Sequence, residues 1–349
     1  MTGWQWIVCV GACAAMAGVS ATGRASAPID PLAFVRPTIA VTPAERERLR
    51  RGDVLVRMLA AQDGDVAVFA AAKMRVAPDT MVAWIRAIDQ LKRSSFVPVI
   101  RRFSDPPALE DLEALVLDDS DVEDIRACRG GDCHVKLGAD DMVALQAAAS
   151  ASGPDWKDAV RRQFRLTVLA RVNTYRAGGY AAVPAYADRT SAVRPAETFA
   201  GILSRSAFLG ASNTVVSQLR DYPRPAPAME SFFYWSKEQY GHGKPVVSVT
   251  HVNIFRSAEQ DGPAVLVTGN EIFATHYRNG SLGVTALVAD EHDEVNYLVY
   301  VNRSNLDVLG GLFGGMKRAI LEARIKGETA TVIGAIRDRM SSGPPLPFR

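Results

Sequence analysis

The side chains best suited to acid–base or metal chemistry in this 349-residue chain are its five histidines. Two of them, His251 and His276, lie in apolar runs that predict neighbouring β-strands. Asn253 shares a strand face with His251, because residues two apart in a strand point the same way. Paired imidazoles would suit acid–base catalysis or metal binding. The alternative is that each is a hydrogen-bonded structural histidine.

The sequence contains no established catalytic signature: no G-x-S-x-G elbow, no S-x-x-K and no H-E-x-x-H motif. The glycines of 310–315 lack the Gly-Lys-Ser/Thr of a phosphate loop and do not match the dinucleotide fingerprint, so we interpret them as a hinge. We therefore assign no catalytic residue, no metal ligand and no cofactor. An enzyme is the less favoured class.

Two cysteines lie close together in the body of the chain, in Cys128-Arg129-Gly130-Gly131-Asp132-Cys133. Gly130-Gly131 predicts a tight turn that brings the thiols together, and the spacing favours a Cys128–Cys133 disulfide of the kind found in oxidising compartments. Inert thiols, a redox dithiol and a metal site using His134 are the alternatives. The spacing is not C-x-x-C, and a fourth metal ligand is not recognisable.

Residues 1–27 predict a signal peptide or an N-terminal anchor. Trp4 to Thr22 is charge-free and mostly apolar, and Ala25-Ser26-Ala27 fits a signal-peptidase site. The n-region has no Lys or Arg, Pro28 disfavours cleavage, and the apolar run is just long enough to cross a bilayer. We expect an exported, periplasmic or extracytoplasmic protein whose leader is cleaved or kept as a membrane anchor. A cytoplasmic protein is the remaining alternative.

The overall composition narrows the functional class. With 48% hydrophobic and 22% charged residues, the chain is typical of a globular protein rather than a disordered or polytopic one. The formal net charge of +2 is small and dispersed, whereas a nucleic-acid footprint needs clustered Lys and Arg. No nucleic-acid partner is expected.

Residues 245–340 predict antiparallel strands closed by one long helix. The strand runs are 246–255, 264–277, 282–289 and 295–301, preceded by an aromatic run at 230–235. Asn279-Gly280, between two apolar runs, predicts a two-residue hairpin turn. In that register His276 faces Gly283 and shares a sheet face with Thr285.

Apolar and small side chains recur at three- and four-residue intervals along the final helix and predict the face that meets the sheet. The stripe comprises Phe313, Met316, Ile320, Ala323, Gly327, Ala330 and Gly334. Its decreasing size indicates either close packing on the sheet or space for an apolar ligand. The ligand-cavity candidates are therefore His251, Asn253, His276, Thr285, Met316, Ile320, Ala323, Gly327 and Ala330.

The rest of the chain is predicted to divide around a block of helices. The predicted parts are an N-terminal arm at 28–51, a first sheet and helix region at 52–104, a helical insertion at 105–228, the sheet and closing helix at 229–340, and a disordered tail at 341–349. In the arm, Thr42-Pro43-Ala44-Glu45 predicts a capped helix start. An arginine-rich amphipathic helix at 155–176 is interpreted as a solvated face, with a membrane surface or a partner as the alternative.

The order of these elements resembles the START and polyketide-cyclase-like superfamily, the helix-grip fold. In that family an early strand and two helices precede a run of antiparallel strands, and a long C-terminal helix lies over an internal cavity. Residues 52–59, 78–85 and 230–340 carry the resemblance. It implies an α+β fold, an antiparallel sheet gripping a long C-terminal helix, here with an inserted helical subdomain. It also implies binding of lipids, sterols, polyketides or other apolar molecules, and it assigns no catalytic residue.

The leading hypothesis is an exported, non-catalytic carrier or binding protein for a hydrophobic small molecule or lipid. One alternative is a cavity enzyme of the cyclase or hydrolase type that uses His251 or His276. The other is an envelope interaction module that acts through the helical insertion, with a membrane surface as its partner. The oligomeric state is not predicted.

Overall fold

The protein is α+β, with one antiparallel sheet and helices on both of its faces. A computed structural model describes residues 32–36, 38–62, 64–151, 153–224, 229–239, 243–256, 262–290, 295–309 and 314–346, without the side chains of 210, 211, 229 and 314–317. The predicted leader, the 310–313 part of the predicted hinge and residues 347–349 of the predicted tail lie outside the described residues.

The sheet has eight strands. They are β1 (Leu55–Met58), β2 (Asp65–Met74), β3 (Val99–Arg102), β4 (Met229–Glu238), β5 (Val246–Arg256), β6 (Val265–Ala274), β7 (Arg278–Asp290) and β8 (Val295–Leu306). Their order across the sheet is β1-β2-β8-β7-β6-β5-β4-β3, so β2, from the start of the chain, lies beside β8, from its end. β4 to β8 overlap strand runs that the sequence predicted, and β1 to β3 lie in the predicted first sheet and helix region at 52–104.

The inner strands are almost continuously buried, which explains their apolar sequences. Every residue of β5 except Arg256 is buried, because helices cover the sheet on both sides. Strands covered on both faces have near-continuous runs of β-branched and aromatic residues rather than an alternation. A polar side chain in such a strand must find a partner there, since an unpartnered buried polar group is costly.

The turn between β6 and β7 differs from the predicted hairpin. β6 ends at Ala274, the chain turns through 275–277, and Gly283 pairs with Gly269. The predicted pairing of His276 with Gly283 is therefore wrong.

Competition from β5 explains the shift. The Thr275 N–H donates to the Val247 carbonyl at 3.0 Å, and Thr275 Oγ1 accepts the Val247 N–H at 3.0 Å. These bonds end the pairing of β6 with β7 before the Asn-Gly dipeptide is reached. Asn279-Gly280 lies instead within β7, where the register against β8 shifts between Arg278 and Gly280.

The helices follow in sequence between and after the strands. They are α1 (Pro43–Arg50), α2 (Pro78–Arg86), α3 (Ile88–Lys92), α4 (Asp119–Ala127), α5 (Ala139–Ala151), α6 (Trp156–Ala182), α7 (Pro195–Ser204), α8 (Asn213–Asp221) and α9 (Gly314–Ser341). The capping box predicted for α1 is confirmed: the Glu45 N–H donates to Thr42 Oγ1 at 3.2 Å, and the Thr42 N–H donates to the Glu45 carboxylate at 2.8 Å.

Each face of the sheet has its own set of helices. Helices α4–α6 cover one face near β4–β6, where Phe164 and Trp235 are fully buried, and α7 and α8 continue this layer over β7 and β8. Helices α2, α3 and α9 cover the opposite face, with Ile85 and Ile333 in its core. The helical block therefore shares its core with the sheet.

The long closing helix is confirmed as α9, but it packs by a different side from the one predicted. Ile333 and Met340 are buried against the sheet, while Leu321 and Ile325 pack on a small apolar cluster at the ends of β2 and β8. Ile320, which belongs to the predicted stripe, is 67% exposed. The packed side carries four large apolar side chains, whereas the predicted stripe beyond Ile320 is alanine and glycine, which remove less apolar area from water.

The other described residues of the predicted stripe also lie on the side of α9 that is turned away from the sheet or only partly buried. Ala323 and Gly327 are exposed, and a Cβ atom at Gly327 would meet no atom within 4 Å. Ala330 is partly buried. The prediction that this stripe faces the sheet is therefore wrong for Ile320, Ala323 and Gly327, and the Met316 side chain lies outside the described residues.

Residues after α9 return to the helices on the same face. Trp84 Nε1 donates to the Gly343 carbonyl at 2.7 Å, and Gln90 exchanges two hydrogen bonds with the backbone of Leu346, at 3.0 and 3.2 Å. The described part of the predicted disordered tail is thus held by side chains of α2 and α3.

Candidate functional site

The middle of the sheet is partly exposed on the face that α9 shares. Gly269 of β6 and Gly283 of β7 pair directly and are partly exposed between strands that are otherwise largely buried. A Cβ at Gly283 would come no closer than 3.6 Å to the side chains of Tyr300 and Asn302. Glycine inside a strand is typical of places where a ligand or another backbone approaches closely.

Partly exposed polar side chains continue this region across β7 and β8. Thr285 lies opposite Tyr300, and both are partly exposed. Burial raises the pKa of Tyr300 to about 12, so its hydroxyl stays neutral. Asn302 Nδ2 donates to Ser281 Oγ at 2.9 Å. We call Gly269, Gly283, Thr285, Tyr300 and Asn302 the polar strip.

One end of the polar strip carries a buried charged cluster. Glu271 follows Gly269 by two residues in β6 and so points to the same face. Arg278 lies between two carboxylates: its Nη2 is 2.7 Å from Glu271 Oε2 and 2.9 Å from Glu238 Oε2, and its Nε donates to Glu271 Oε2 at 2.7 Å. Glu238 and Glu271 are 6% and 8% exposed, so this end of the strip is enclosed.

The two carboxylates differ in how fully they are bonded. Glu238 Oε1 accepts hydrogen bonds from the hydroxyls of Ser236 at 2.9 Å and Ser248 at 3.0 Å. Glu271 Oε1, in contrast, is buried and has no hydrogen-bond partner among the described residues. Burial raises the pKa of Glu271, and Arg278 opposes that shift only in part. The cluster therefore has one unused acceptor, on Glu271.

A lysine from α3 approaches the same face. Lys92 Nζ donates to the hydroxyl of Tyr234 at 2.7 Å and lies 4.8 Å from the centre of that ring. Burial alone would lower the pKa of Lys92, but Tyr234 and Glu238 raise it above its usual value. The cation therefore stays charged beside the carboxylates.

The other end of this sheet face is apolar. Val252, Ile254, Val265, Val267, Leu287 and Leu298 of the sheet pack there with Trp84 of α2 and with Ile333 and Met340 of α9. The face thus changes from apolar side chains to charged ones, with the polar strip between them. Such a gradient suits a molecule that has an apolar body and a polar head.

His251 and Asn253, two of the predicted site residues, lie on the opposite face of the sheet. His251 is 1% exposed and stacks on Phe233, with ring centres 4.5 Å apart. Its Nδ1 is 3.2 Å from the hydroxyl of Tyr175 in α6. Asn253 Nδ2 donates to Thr268 Oγ1 at 3.2 Å. The helical block buries both residues.

Burial sets the chemistry of His251. It lowers the pKa of the imidazole to about 3, so the ring is neutral at ordinary pH. The Tyr180 hydroxyl donates to the Glu271 carbonyl, and Asn270 Nδ2 donates to the hydroxyls of Tyr175 and Tyr180. The Tyr175 proton then remains for His251 Nδ1, which makes Nδ1 an acceptor. This arrangement supports a structural histidine rather than a catalytic one.

His276, another predicted residue of the site, lies where the β6–β7 turn meets the helical block. Its Nε2 is 3.1 Å from Asp121 Oδ2 of α4, and its Nδ1 is 3.0 Å from the His134 carbonyl. Burial acts to raise the pKa of Asp121, but its bonds to His276 and Lys244 lower it overall. Within the described chain no hydrogen bond or ring contact joins His276 to His251, so the predicted histidine pair does not form.

A crevice of about 90 Å³ adjoins His276. Lys136 is 1% exposed there, with its Nζ 2.9 Å from Asp307, 3.6 Å from Asp188 and 2.8 Å from Asn279 Oδ1. Tyr277 beside it takes a positive φ of 63°, unusual for a residue other than glycine. Lys136 thus joins the helical block to the end of the sheet.

The predicted disulfide is confirmed. Cys128 and Cys133 are bonded, with their Cα atoms 4.5 Å apart. Gly131 takes a φ of +84° and donates its N–H to the Ala187 carbonyl, so the predicted glycine turn closes the loop. In the described part of the chain, no cluster of three or more His, Cys, Asp or Glu side chains could hold a metal ion.

The sequence analysis named Thr285, which lies in the polar strip, but it did not name the charged cluster. Glu238, Glu271 and Arg278 lie on three different strands, and the wrong hairpin register placed Arg278 at an exposed turn. The available signal was Glu271, a carboxylate inside the apolar run 264–277, since buried strands seldom carry an unpaired charge.

Comparison with known proteins adds little to this geometry. No family model matches the chain, and no curated protein matches it. A solved structure, that of TTHA0849 from Thermus thermophilus, is similar at 10% identity and a TM-score of 0.25, covering 42% of this chain and 90% of that one. A similarity this low carries no argument. Among the described residues, no helix has the length and apolarity to span a membrane.

Proposed function

We propose that this chain is a non-catalytic binding protein for an amphiphilic small molecule or lipid, held on the polar strip. The observation that carries the proposal is the partly exposed middle of the sheet, Gly269 and Gly283, between an apolar end and a buried charged end. An ordinary sheet that is covered by helices has neither partly exposed glycines in its middle strands nor a change from apolar to charged side chains along one face.

The helix-grip arrangement is part of the same proposal. The early strand β2 is followed by the two helices α2 and α3, then by the strands β3–β8 and by α9, as in the family that the sequence resembles, except that the helices α4–α8 separate β3 from β4. Because β2 pairs with β8, these helices lie on one face of one continuous sheet. This order supports a shared ligand site between the sheet and α9.

Location outside the cytoplasm is also proposed. The Cys128–Cys133 bond supports it, since such bonds persist in oxidising compartments and are rare in the cytosol. An exported binding protein fits both the bond and the predicted leader.

The bonding of most polar groups in and beside the polar strip supports binding rather than catalysis. Arg278 and Glu238 bond each other and neighbouring hydroxyls, and Tyr300 is held neutral by burial. General acid–base catalysis needs a group whose pKa lies near the operating pH. Side chains that are already bonded or neutral can orient a bound ligand, but they are poorly suited to transferring protons.

Native mass spectrometry of the protein, as purified and after exposure to a C12 amphiphile such as monolaurin, tests the proposal. The critical variant is Gly283→Val, which places a branched side chain on the floor of the polar strip while valine still suits a strand. We expect the wild type to bind and the variant to lose at least tenfold in affinity with its melting temperature nearly unchanged.

Gly327→Val is the matched control, because the same change is made on the exposed side of α9. It should leave amphiphile binding unchanged. Equal binding by the wild type and Gly283→Val would rule out the polar strip as the site, and no binding by the wild type would rule out the proposed function.

A further inference from the structure

The unused acceptor of the charged cluster defines what a ligand must present. Glu271 Oε1 is buried, without a partner in the described chain, and belongs to a side chain 8% exposed at the end of the polar strip. A buried acceptor that stays unbonded is costly, whereas a ligand that donates a hydrogen bond to it recovers that cost. The acceptor therefore favours ligands with an N–H or O–H in their head group.

The neighbouring groups fix the direction of this preference. Glu271 Oε2 already accepts two hydrogen bonds from Arg278. Rotating the carboxylate to bring Oε1 toward the guanidinium would break these two bonds. The donors of the cluster are directed at acceptors already present: Arg278 at two carboxylates, Ser236 and Ser248 at Glu238. An acceptor-only head group, such as a sulfate ester, could use the remaining N–H groups of Lys92, but it leaves Glu271 Oε1 unbonded and brings its own negative charge against that carboxylate.

Resting on the proposed function, we propose that the protein selects amphiphiles whose head group donates a hydrogen bond, a hydroxyl or an ammonium, to Glu271 Oε1. The head lies at the charged end of the strip and the apolar body runs over Gly269 and Gly283 toward α9. The charges near the head balance: Arg278 and Lys92 are positive, Glu238 and Glu271 negative when ionised. A neutral hydroxyl is therefore accepted as well as a cation.

Three C12 amphiphiles that differ only in head group test the selection: monolaurin, dodecylamine and dodecyl sulfate. Isothermal titration below their critical micelle concentrations should give dodecyl sulfate an affinity roughly 10- to 100-fold weaker than the other two, the range expected for one hydrogen bond to a charged group. Tighter binding of dodecylamine than of monolaurin supports recognition by an ionised Glu271. Equal binding of these two supports recognition by hydrogen bonding alone.

Glu271→Gln gives the sharper test, because it replaces the unbonded acceptor oxygen by a hydrogen-bond donor. Arg278 donates, so the amide oxygen of Gln faces it and the amide NH2 turns toward the strip. The preference between the two charged head groups should invert: dodecylamine, which can only donate, weakens at least tenfold and dodecyl sulfate strengthens, while monolaurin, whose hydroxyls also accept, changes least. Glu238→Gln is the control; both of its oxygens are already bonded, so we expect a lower melting temperature with the head-group order unchanged.

The failure of the inference differs from the failure of the proposed function. Equal affinity for all three head groups, or a Glu271→Gln variant with the wild-type order, overturns the selection by Glu271 while leaving a binding protein. A wild type that binds none of the three amphiphiles overturns both.

Discussion

At the scale of single residues, burial assigns opposite roles to side chains that look alike in the sequence. His251 is neutral and stacked inside the core, whereas His276 lies between an aspartate and a carbonyl oxygen. The sequence predicted both as strand residues with imidazoles on a sheet face, and nothing in the local pattern separates them. The difference comes from the helical block, which buries His251 and hydrogen-bonds His276.

His251 predicts an acid-sensitive fold. Its pKa is about 3 in the folded protein and near 6.5 when unfolded. Between these values the unfolded state binds the extra proton, so the free energy of unfolding falls as pH drops below about 6.5. Urea unfolding at pH 7 and pH 5 should show His251→Gln losing less stability than the wild type, by about 2 kcal/mol in total, because the slope reaches about 1.4 kcal/mol per pH unit only below the unfolded pKa. Parallel losses in the two proteins would contradict the assignment.

Asp121→Asn should be strongly destabilising. The carboxylate bonds His276 and Lys244 at a site where both Asp121 and His276 are 4% exposed, so the change removes the carboxylate partner of a buried imidazole and one of the two carboxylates that bond Lys244. We expect a loss of about 3 kcal/mol in the free energy of unfolding, measured by urea titration. The matched change Asp119→Asn in the same helix removes only exposed ion pairs, and little change is expected there. Equal effects would show that the buried pair does not stabilise the fold.

At the scale of elements, the sequence predicted where strands and helices lie far better than how they face each other. The strand runs and the bounds of α9 follow from periodicity and composition, which are local properties. The β6–β7 register depends on Thr275 bonding β5, a contact between residues distant in the chain. The packed side of α9 depends on apolar clusters contributed by both ends of the chain. The residues of the charged cluster come together only in the observed β6–β7 register, so the wrong register prediction also hid the cluster.

Glycine substitutions separate an exposed helix position from a constrained one. Gly327 is in mid-helix with open surroundings, so Gly327→Ala should raise the free energy of unfolding by about 0.5–1 kcal/mol. Gly179, within α6, takes a φ of 63°, and a Cβ there would overlap the Tyr222 carbonyl oxygen. Gly179→Ala should therefore cost more than about 2 kcal/mol. Thermal melts of the two variants show whether each substitution raises or lowers stability. A destabilising Gly327→Ala would mean that this side of α9 is packed.

At the scale of the whole molecule, a short covalent loop bears on both stability and location. The Cys128–Cys133 loop hydrogen-bonds through Gly131 and Cys133 to the backbone of 187–188, beside the Lys136 cluster. Its sequence separation of 5 closes a small loop, for which the chain-entropy account gives about 2 kcal/mol. The disulfide thus stabilises the junction between the helical block and the sheet.

Thiol trapping tests the bond in protein taken from the cell envelope. The peptide that contains Cys128 and Cys133 should take up alkylating label only after reduction, as read by mass spectrometry. Replacing both cysteines by serine should lower the free energy of unfolding by about 2 kcal/mol. Label taken up before reduction would remove the disulfide and with it the main structural support for location outside the cytoplasm.

The pairing of β2 with β8 has a consequence for how the chain is made. The sheet cannot close until residues near 306 have left the ribosome, because the strand that joins its early and late parts is the last one. Contacts between such distant segments form slowly, since the intervening chain must be ordered first. A nascent chain with this topology therefore completes its sheet only after β8 has been made, so nearly the whole chain is synthesised before β1 and β2 are joined to the other strands.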